Sequence, residues 1–191
     1  MKNIEEQMSI YAAYHQDARN KATHFIGVPA IILSLFIPLA WIRFEFGGIA
    51  VTAAMVFAAA VLIYYFVLDV PLAFAMLVVT GALVWVGHQI AALGVLQGWI
   101  WFAVLFVGGW ILQLVGHVFE GRKPALADNL FQIFVAPIFL AAEVFFALGY
   151  KPQLHRNVQQ KAQLRRAQSA DSSNSLPRTS SRSGASGSRS A

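Results

Sequence analysis

Cysteine is absent from these 191 residues. That excludes disulfides, thiolate metal sites and cysteine nucleophiles. Charge is scarce too. Asp, Glu, Lys and Arg make up 12% of the chain, about half of what a soluble domain of this size carries. Only five histidines are present. The first 24 residues are mostly polar and lack the apolar core and small-residue cleavage site of a secretory leader. The first apolar run is therefore expected to act as an uncleaved insertion signal. No internal repeat is visible.

What the chain has in quantity is apolar sequence, at 58% hydrophobic residues. Runs of about 20 apolar residues recur, the length that crosses a bilayer. Four spans are predicted: Phe25 to Ile42, Gly48 to Leu68, Leu72 to Leu93, and Trp99 to His117. Arg43 and Glu45 sit in a short polar turn between the first two. Asp69-Val70-Pro71 marks the next turn, because proline stops one helix and is tolerated at the start of another. Several of the five tryptophans fall near span ends, where indole favours the head-group region.

An even number of crossings returns a chain to the side it left. His24, just before the first span, and His117, at the end of the fourth, then lie on one face of the membrane. An odd count would separate them by about 30 Å of hydrocarbon. His88 falls far from them and reads as a hydrogen-bonded interior group. The last apolar segment, Leu130 to Leu148, contains Gln132, Pro137 and Glu143. If it does not cross, 13 of the 14 basic residues share one side with only Arg43 opposite, the bias expected of a cytoplasmic face. The fold class is thus all-α: a multi-pass membrane helical bundle of four spans plus a C-terminal re-entrant or interfacial helical pair hinged near Pro137. Five or six spans is the alternative. Glu143 is expected to face protein or the interface, since a lipid-facing carboxylate is costly.

Residues 151–191 hold eight cations against Asp171, a net +7, which leaves −2 for the rest. The basic balance belongs to a tail and gives no reason to expect a nucleic-acid partner. Two regions follow: a membrane-embedded domain over 1–155 and a basic, Ser/Arg-rich disordered tail over 156–191. His155 is expected to be solvated.

Polar chemistry gathers from Gly116 to Asn129, which holds His117, Glu120, Arg122, Lys123, Asp128 and Asn129. Near the N-terminus stand His15 and His24, nine residues apart, which puts them about 180° from each other on a continuous helix. They meet only if the helix breaks between them or a ligand sits between two elements. That spacing alone does not specify a metal, and Arg122 and Lys123 also read as positive-inside residues.

Two blocks carry a resemblance. Tyr14-His15-Gln16-Asp17-Ala18-Arg19-Asn20-Lys21-Ala22-Thr23-His24-Phe25-Ile26-Gly27-Val28-Pro29 resembles the N-terminal signature of the fungal 2-hydroxy fatty acid dioxygenase family. Gly109-Trp110 with Gln113-Leu114-Val115-Gly116-His117-Val118-Phe119-Glu120-Gly121-Arg122-Lys123-Pro124 and the following Asp128-Asn129-Leu130 resembles its second signature. The resemblance covers roughly residues 8–155. It implies an integral membrane enzyme that uses Fe(II) and O2 to remove one carbon from a long-chain 2-hydroxy fatty acid by oxidative α-cleavage. His15, His24 and His117 are then the expected iron ligands, since imidazole suits Fe(II) and a few ligands leave positions open for oxygen. Glu120 or Asp128 completes the set or orients a histidine. Arg122 and Lys123 hold the substrate carboxylate, with Asn20 and Asn129 beside them. A site at the membrane surface fits an amphiphilic substrate. The host is a bacterial inner membrane, or the endoplasmic reticulum in a eukaryote.

Other classes make different demands. A zinc-dependent lipid hydrolase also uses histidines, and oxygen-dependent turnover separates it from the dioxygenase. A di-iron desaturase needs many more histidines than five. A non-enzymatic multi-pass protein such as a transporter places polar groups at mid-membrane and often carries a repeat.

Overall fold

Asn3 starts the first helix by accepting a 2.9 Å bond from the Glu6 amide, with Glu5 and Glu6 in the opening turn where the helix dipole favours them. The computed structural model describes residues 3–121 and 132–174. Helix α1 (Ile4–Ala13) ends at Tyr14, and Asp17 caps α2 (Ala18–Trp41) by accepting from the Arg19 amide at 2.8 Å. The helix is therefore broken between His15 and His24, the condition their spacing set for a meeting.

The polar turn expected at Arg43 and Glu45 is a β-hairpin. Strands β1 (Arg43–Phe46) and β2 (Ile49–Thr52) pair antiparallel, Phe44 opposite Val51 and Phe46 opposite Ile49. Gly47 and Gly48 both take positive φ (58° and 86°), which a two-residue hairpin turn requires. Helix α3 (Ala53–Leu68) consequently begins later than the span predicted from Gly48, capped by Thr52. Its 16 residues reach about 24 Å, short of a typical hydrocarbon core. Asp69 accepts from the Leu72 amide and starts α4 (Val70–Ala92), and α5 (Val95–Glu120) stops at Gly121 in the left-handed region.

Among the described residues, α2, α4 and α5 are long and apolar enough to cross a membrane, while α3 and α6 (Gln132–Ala147) are shorter apolar helices. Only 28% of the α4 window and 22% of the α5 window is buried. Val78, Trp85, Val104 and Ile111 face outward, as on helices that are apolar all round and meet lipid. The fold is all-helical apart from the hairpin. Helix α6 runs unbroken through Pro137, where a hinged pair was expected. Pro137 lies only five residues into the helix, so the carbonyl losing a partner is that of Ile133, in its first turn.

The predicted boundary at 155/156 falls inside a further helix, α7 (Pro152–Asn174). Leu154, Val158 and Ala162 recur every four residues, and Val158 and Ala162 are fully buried in the cluster that holds Met8 and Tyr11 of α1. The cations of this stretch find carboxylates: Lys161 to Glu5 at 2.6 Å, Arg165 to Glu6 at 3.6 Å, Arg166 to Glu120 at 2.6 Å. Composition hid an amphipathic strap that packs on α1. His155 is not free in solvent but stacks on Phe146 at 4.6 Å. Residues 175–191 of the predicted tail lie outside the described residues. Glu143 pairs with Lys21 at 2.8 Å, and His88 bonds to Thr52 and the Val84 carbonyl.

Helices α2 and α5 approach closely because one face of α5 is glycine. Gly98, Gly109 and Gly116 are three and two turns apart. A Cβ on Gly109 would sit 2.7 Å from Ile31 and 3.0 Å from the Gly27 carbonyl. Small residues at helix crossings are how membrane helices reach such contact. This approach brings the start of α2 against the end of α5.

Candidate metal centre

His15 comes from the turn between α1 and α2, His24 from the second turn of α2, and His117 from the last turn of α5. All three are buried, and one ring nitrogen from each lies within 4.8 Å of the others. Among the described residues this is the group that can hold a metal ion.

The hydrogen bonds fix two tautomers. His15 Nδ1 lies 2.8 Å from the Tyr11 carbonyl, and His24 Nδ1 lies 2.8 Å from the Asn20 carbonyl. A carbonyl only accepts, so each Nδ1 carries its proton and each Nε2 is left with a bare lone pair. Those two Nε2 atoms face each other at 3.2 Å. Two acceptors at that distance repel unless a cation lies against both. His117 Nδ1 is also buried and lacks a hydrogen-bond partner. The donor set fits a divalent transition metal such as iron or zinc. The Tyr11 ring stacks on His15 at 3.9 Å and 5°, which fixes the plane of that imidazole.

Burial and the nearby His24 hold His15 well below the ordinary imidazole range, with His117 adding to the shift and the bond to the Tyr11 carbonyl opposing it. Folded His15 thus stays neutral where the unfolded residue, at about 6.5, takes up a proton. The unfolded chain then binds more protons, so stability of the metal-free protein falls as pH drops below about 6.5. Metal retention falls in the same direction, because protons compete for the ligand nitrogens. Thermal melts and metal content measured from pH 8 to pH 5 check both.

Glu120 lies beside the triad but its oxygens are engaged elsewhere. Oε2 accepts from the Gln16 amide at 2.9 Å, the Asp17 amide at 2.8 Å and Asn20 Nδ2 at 3.2 Å, and Oε1 accepts from Arg166 at 2.6 Å. Of the two roles expected for this carboxylate, completing the set or orienting a histidine, these bonds fit the second: it pins the turn that carries His15. Asn20, expected near substrate, is fully buried behind His24: its backbone carbonyl accepts from His24 Nδ1 and its side-chain amide donates to Glu120. It is not among the cavity-lining residues. Arg122, Lys123, Asp128 and Asn129 lie outside the described residues.

Gly116 makes this arrangement possible. A Cβ there would fall 2.3 Å from Thr23 Oγ1, 2.5 Å from Asn20 Oδ1 and 3.2 Å from His24 Nδ1. Gly116→Val is expected to separate α2 from α5 at the site, at a cost of about 1–3 kcal/mol. Denaturation midpoints and metal affinity should both fall.

The three histidines open onto a cavity of about 80 Å³, lined also by Tyr11, Trp110, Gln113, Gln132 and aliphatic side chains. Ile31, Ile32 and Ile133 are shared with a second cavity of about 190 Å³, which is lined mainly by apolar residues of α2, α3, α4 and α6. Sequence reasoning missed Tyr11, Gln113 and Gln132 as site residues. A signal existed for two of them: Tyr11 is one turn before His15 and Gln113 one turn before His117.

Comparison with known proteins bears on this geometry. Residues 1–148 match the family model described as Mpo1-like, 2-hydroxy-palmitic acid dioxygenase Mpo1-like. The 2-hydroxy-palmitic acid dioxygenase MPO1 of Saccharomyces cerevisiae is 32% identical over 172 residues, covering 85% of this chain and 91% of the yeast protein. No solved structure matches.

Proposed function

The chain belongs to the Mpo1-like family, and on that premise we propose that it is an Fe(II)-dependent dioxygenase that removes one carbon from long-chain 2-hydroxy fatty acids at a membrane surface. The observation that carries the metal part is the pair of bare Nε2 atoms facing at 3.2 Å beside a buried His117 whose Nδ1 is unpartnered. In this reading His15, His24 and His117 hold the ion. Bound there, Fe(II) supplies the chemistry that activates O2.

The chain's own residues do the rest. Glu120 positions the turn that carries His15, and the Tyr11 and Asn20 carbonyls keep two Nε2 atoms unprotonated. Burial of the three rings limits access of bulk water. The acyl chain takes the apolar cavities that meet at Ile31, Ile32 and Ile133. Arg122 and Lys123, directly after α5, guide the carboxylate inward, with Asp128 and Asn129 on the same connection. We read α2, α3, α4 and α5 as four crossings with the site at the cytoplasmic face and α6 as re-entrant or interfacial. The host membrane is a bacterial inner membrane or the endoplasmic reticulum.

The test is turnover by the Fe(II)-reconstituted protein. A long-chain 2-hydroxy fatty acid should consume O2 and give a fatty acid one carbon shorter, with nothing formed anaerobically or with zinc in place of iron. Metal-dependent release of a fatty acid from a lipid amide without O2 would assign the site to hydrolysis instead.

A further inference from the structure

Two buried glutamine side chains that line the histidine cavity carry polar atoms without hydrogen-bond partners. Gln132, the first residue of α6, is 1% exposed, and neither its Nε2 nor its Oε1 is engaged. Gln113, on the histidine-bearing α5, is 7% exposed with its Nε2 unengaged. Gly27 leaves room for the second of these amides, since a Cβ there would lie 2.5 Å from Gln113 Nε2. Burying an amide without a partner is unfavourable, and folded chains seldom tolerate it without a reason. Here two such groups face one cavity that also holds three imidazoles.

We propose that Gln132 reads the α-hydroxyl of the bound 2-hydroxy acid and so separates it from the plain fatty acid, while Gln113 donates to the acid head group. This rests on the dioxygenase reading above. A primary amide carries donors on one atom and an acceptor on the other. Its Nε2 donates to a carboxylate oxygen, and its Oε1 accepts from the hydroxyl on the next carbon. Because both atoms are free, either orientation of the amide serves. A plain fatty acid lacks the hydroxyl and leaves the acceptor buried and unpaired. A site built to hydrogen-bond a hydroxyl rejects the analogue without it for this reason. Apart from these amides and the three histidines, the lining is aliphatic or aromatic, so the amides supplement whatever selection the metal makes.

The test compares anaerobic binding of a long-chain 2-hydroxy fatty acid and the same chain without the hydroxyl to Fe(II)-loaded wild type, Gln132→Met and Gln113→Met. Wild type should prefer the hydroxy acid. Gln132→Met should lose about 10–100-fold in affinity for it and clearly less for the plain acid, which loses only the Nε2 contact, so the preference falls. Gln113→Met should weaken both acids alike, about tenfold. Without any acid, Gln132→Met should melt no lower than wild type, because a buried unpaired amide has been removed. An undiminished preference in Gln132→Met would show that the hydroxyl is selected without this amide, and would overturn the proposal. A lower melting temperature, or a variant too unstable to purify, would make the residue structural and overturn it equally. If wild type itself neither prefers nor turns over the hydroxy acid, the dioxygenase reading has failed, a result read on wild type alone.

Discussion

Replacing His117 with alanine is expected to reduce bound metal from one ion per chain to background while the helical content is retained. His117 is the only member of the triad contributed by α5; the other two come from the α1–α2 turn and α2. Without it the Nε2 atoms of His15 and His24 still face each other, but two imidazoles cannot close a site against solvent competition. Its Nδ1 makes no hydrogen bond, so the fold loses little when the ring is removed. His15→Ala and His24→Ala should match it in metal content. Those two also remove bonds to the Tyr11 and Asn20 carbonyls, and should melt lower. Metal analysis with far-UV circular dichroism on the three variants checks this.

Glu120→Ala is expected to have the largest effect on stability. The Glu120 side chain is 2% exposed, and it gathers two backbone amides, the Asn20 amide and the Arg166 guanidinium. Removing it leaves the Gln16 and Asp17 amides and a cation without their acceptor. Breaking one side of a buried ion pair costs about 3–5 kcal/mol. The value should lie toward the lower end because Arg166 is 32% exposed. Metal affinity should fall as well, by about 10–100-fold, the usual effect of losing a group that orients a ligand. Arg166→Ala should be milder, and the double variant should cost less than the sum of the two, because both act through one contact. Denaturant melts of the four proteins measure the coupling.

Much of the site was legible in the sequence, and the reason is periodicity. Apolar runs of bilayer length located α2, α4 and α5, and His24 and His117 do meet, as the four-span expectation required. The nine-residue gap let His15 and His24 meet only through a break or a ligand between two elements, and Asp17 supplies the break as a cap. Other features depended on contacts between residues far apart in sequence. Glu120 reads as a ligand or an orienting group from its place three residues after His117; only the fold reveals that two amides about a hundred residues earlier donate to its oxygen. Gln132 reads as a misfit in an apolar segment until the cavity it lines is known. Helix α7 was obscured by composition, because its stripe of Leu154, Val158 and Ala162 is diluted by cations whose partners lie on α1 and α5. The hairpin was readable in Gly47-Gly48 between alternating apolar residues, but its location between two long apolar runs favoured the simpler turn.

In the proposed enzyme, His15, His24 and His117 together hold a ferrous ion. X-ray absorption on anaerobically purified, Fe(II)-loaded protein tests it most directly, combined with metal analysis of the same sample. One iron per chain is expected, with three imidazole nitrogens in its coordination shell and a spectrum lost in His117→Ala. A chain that takes up no metal under reducing conditions, or one whose iron keeps its spectrum in that variant, would contradict it.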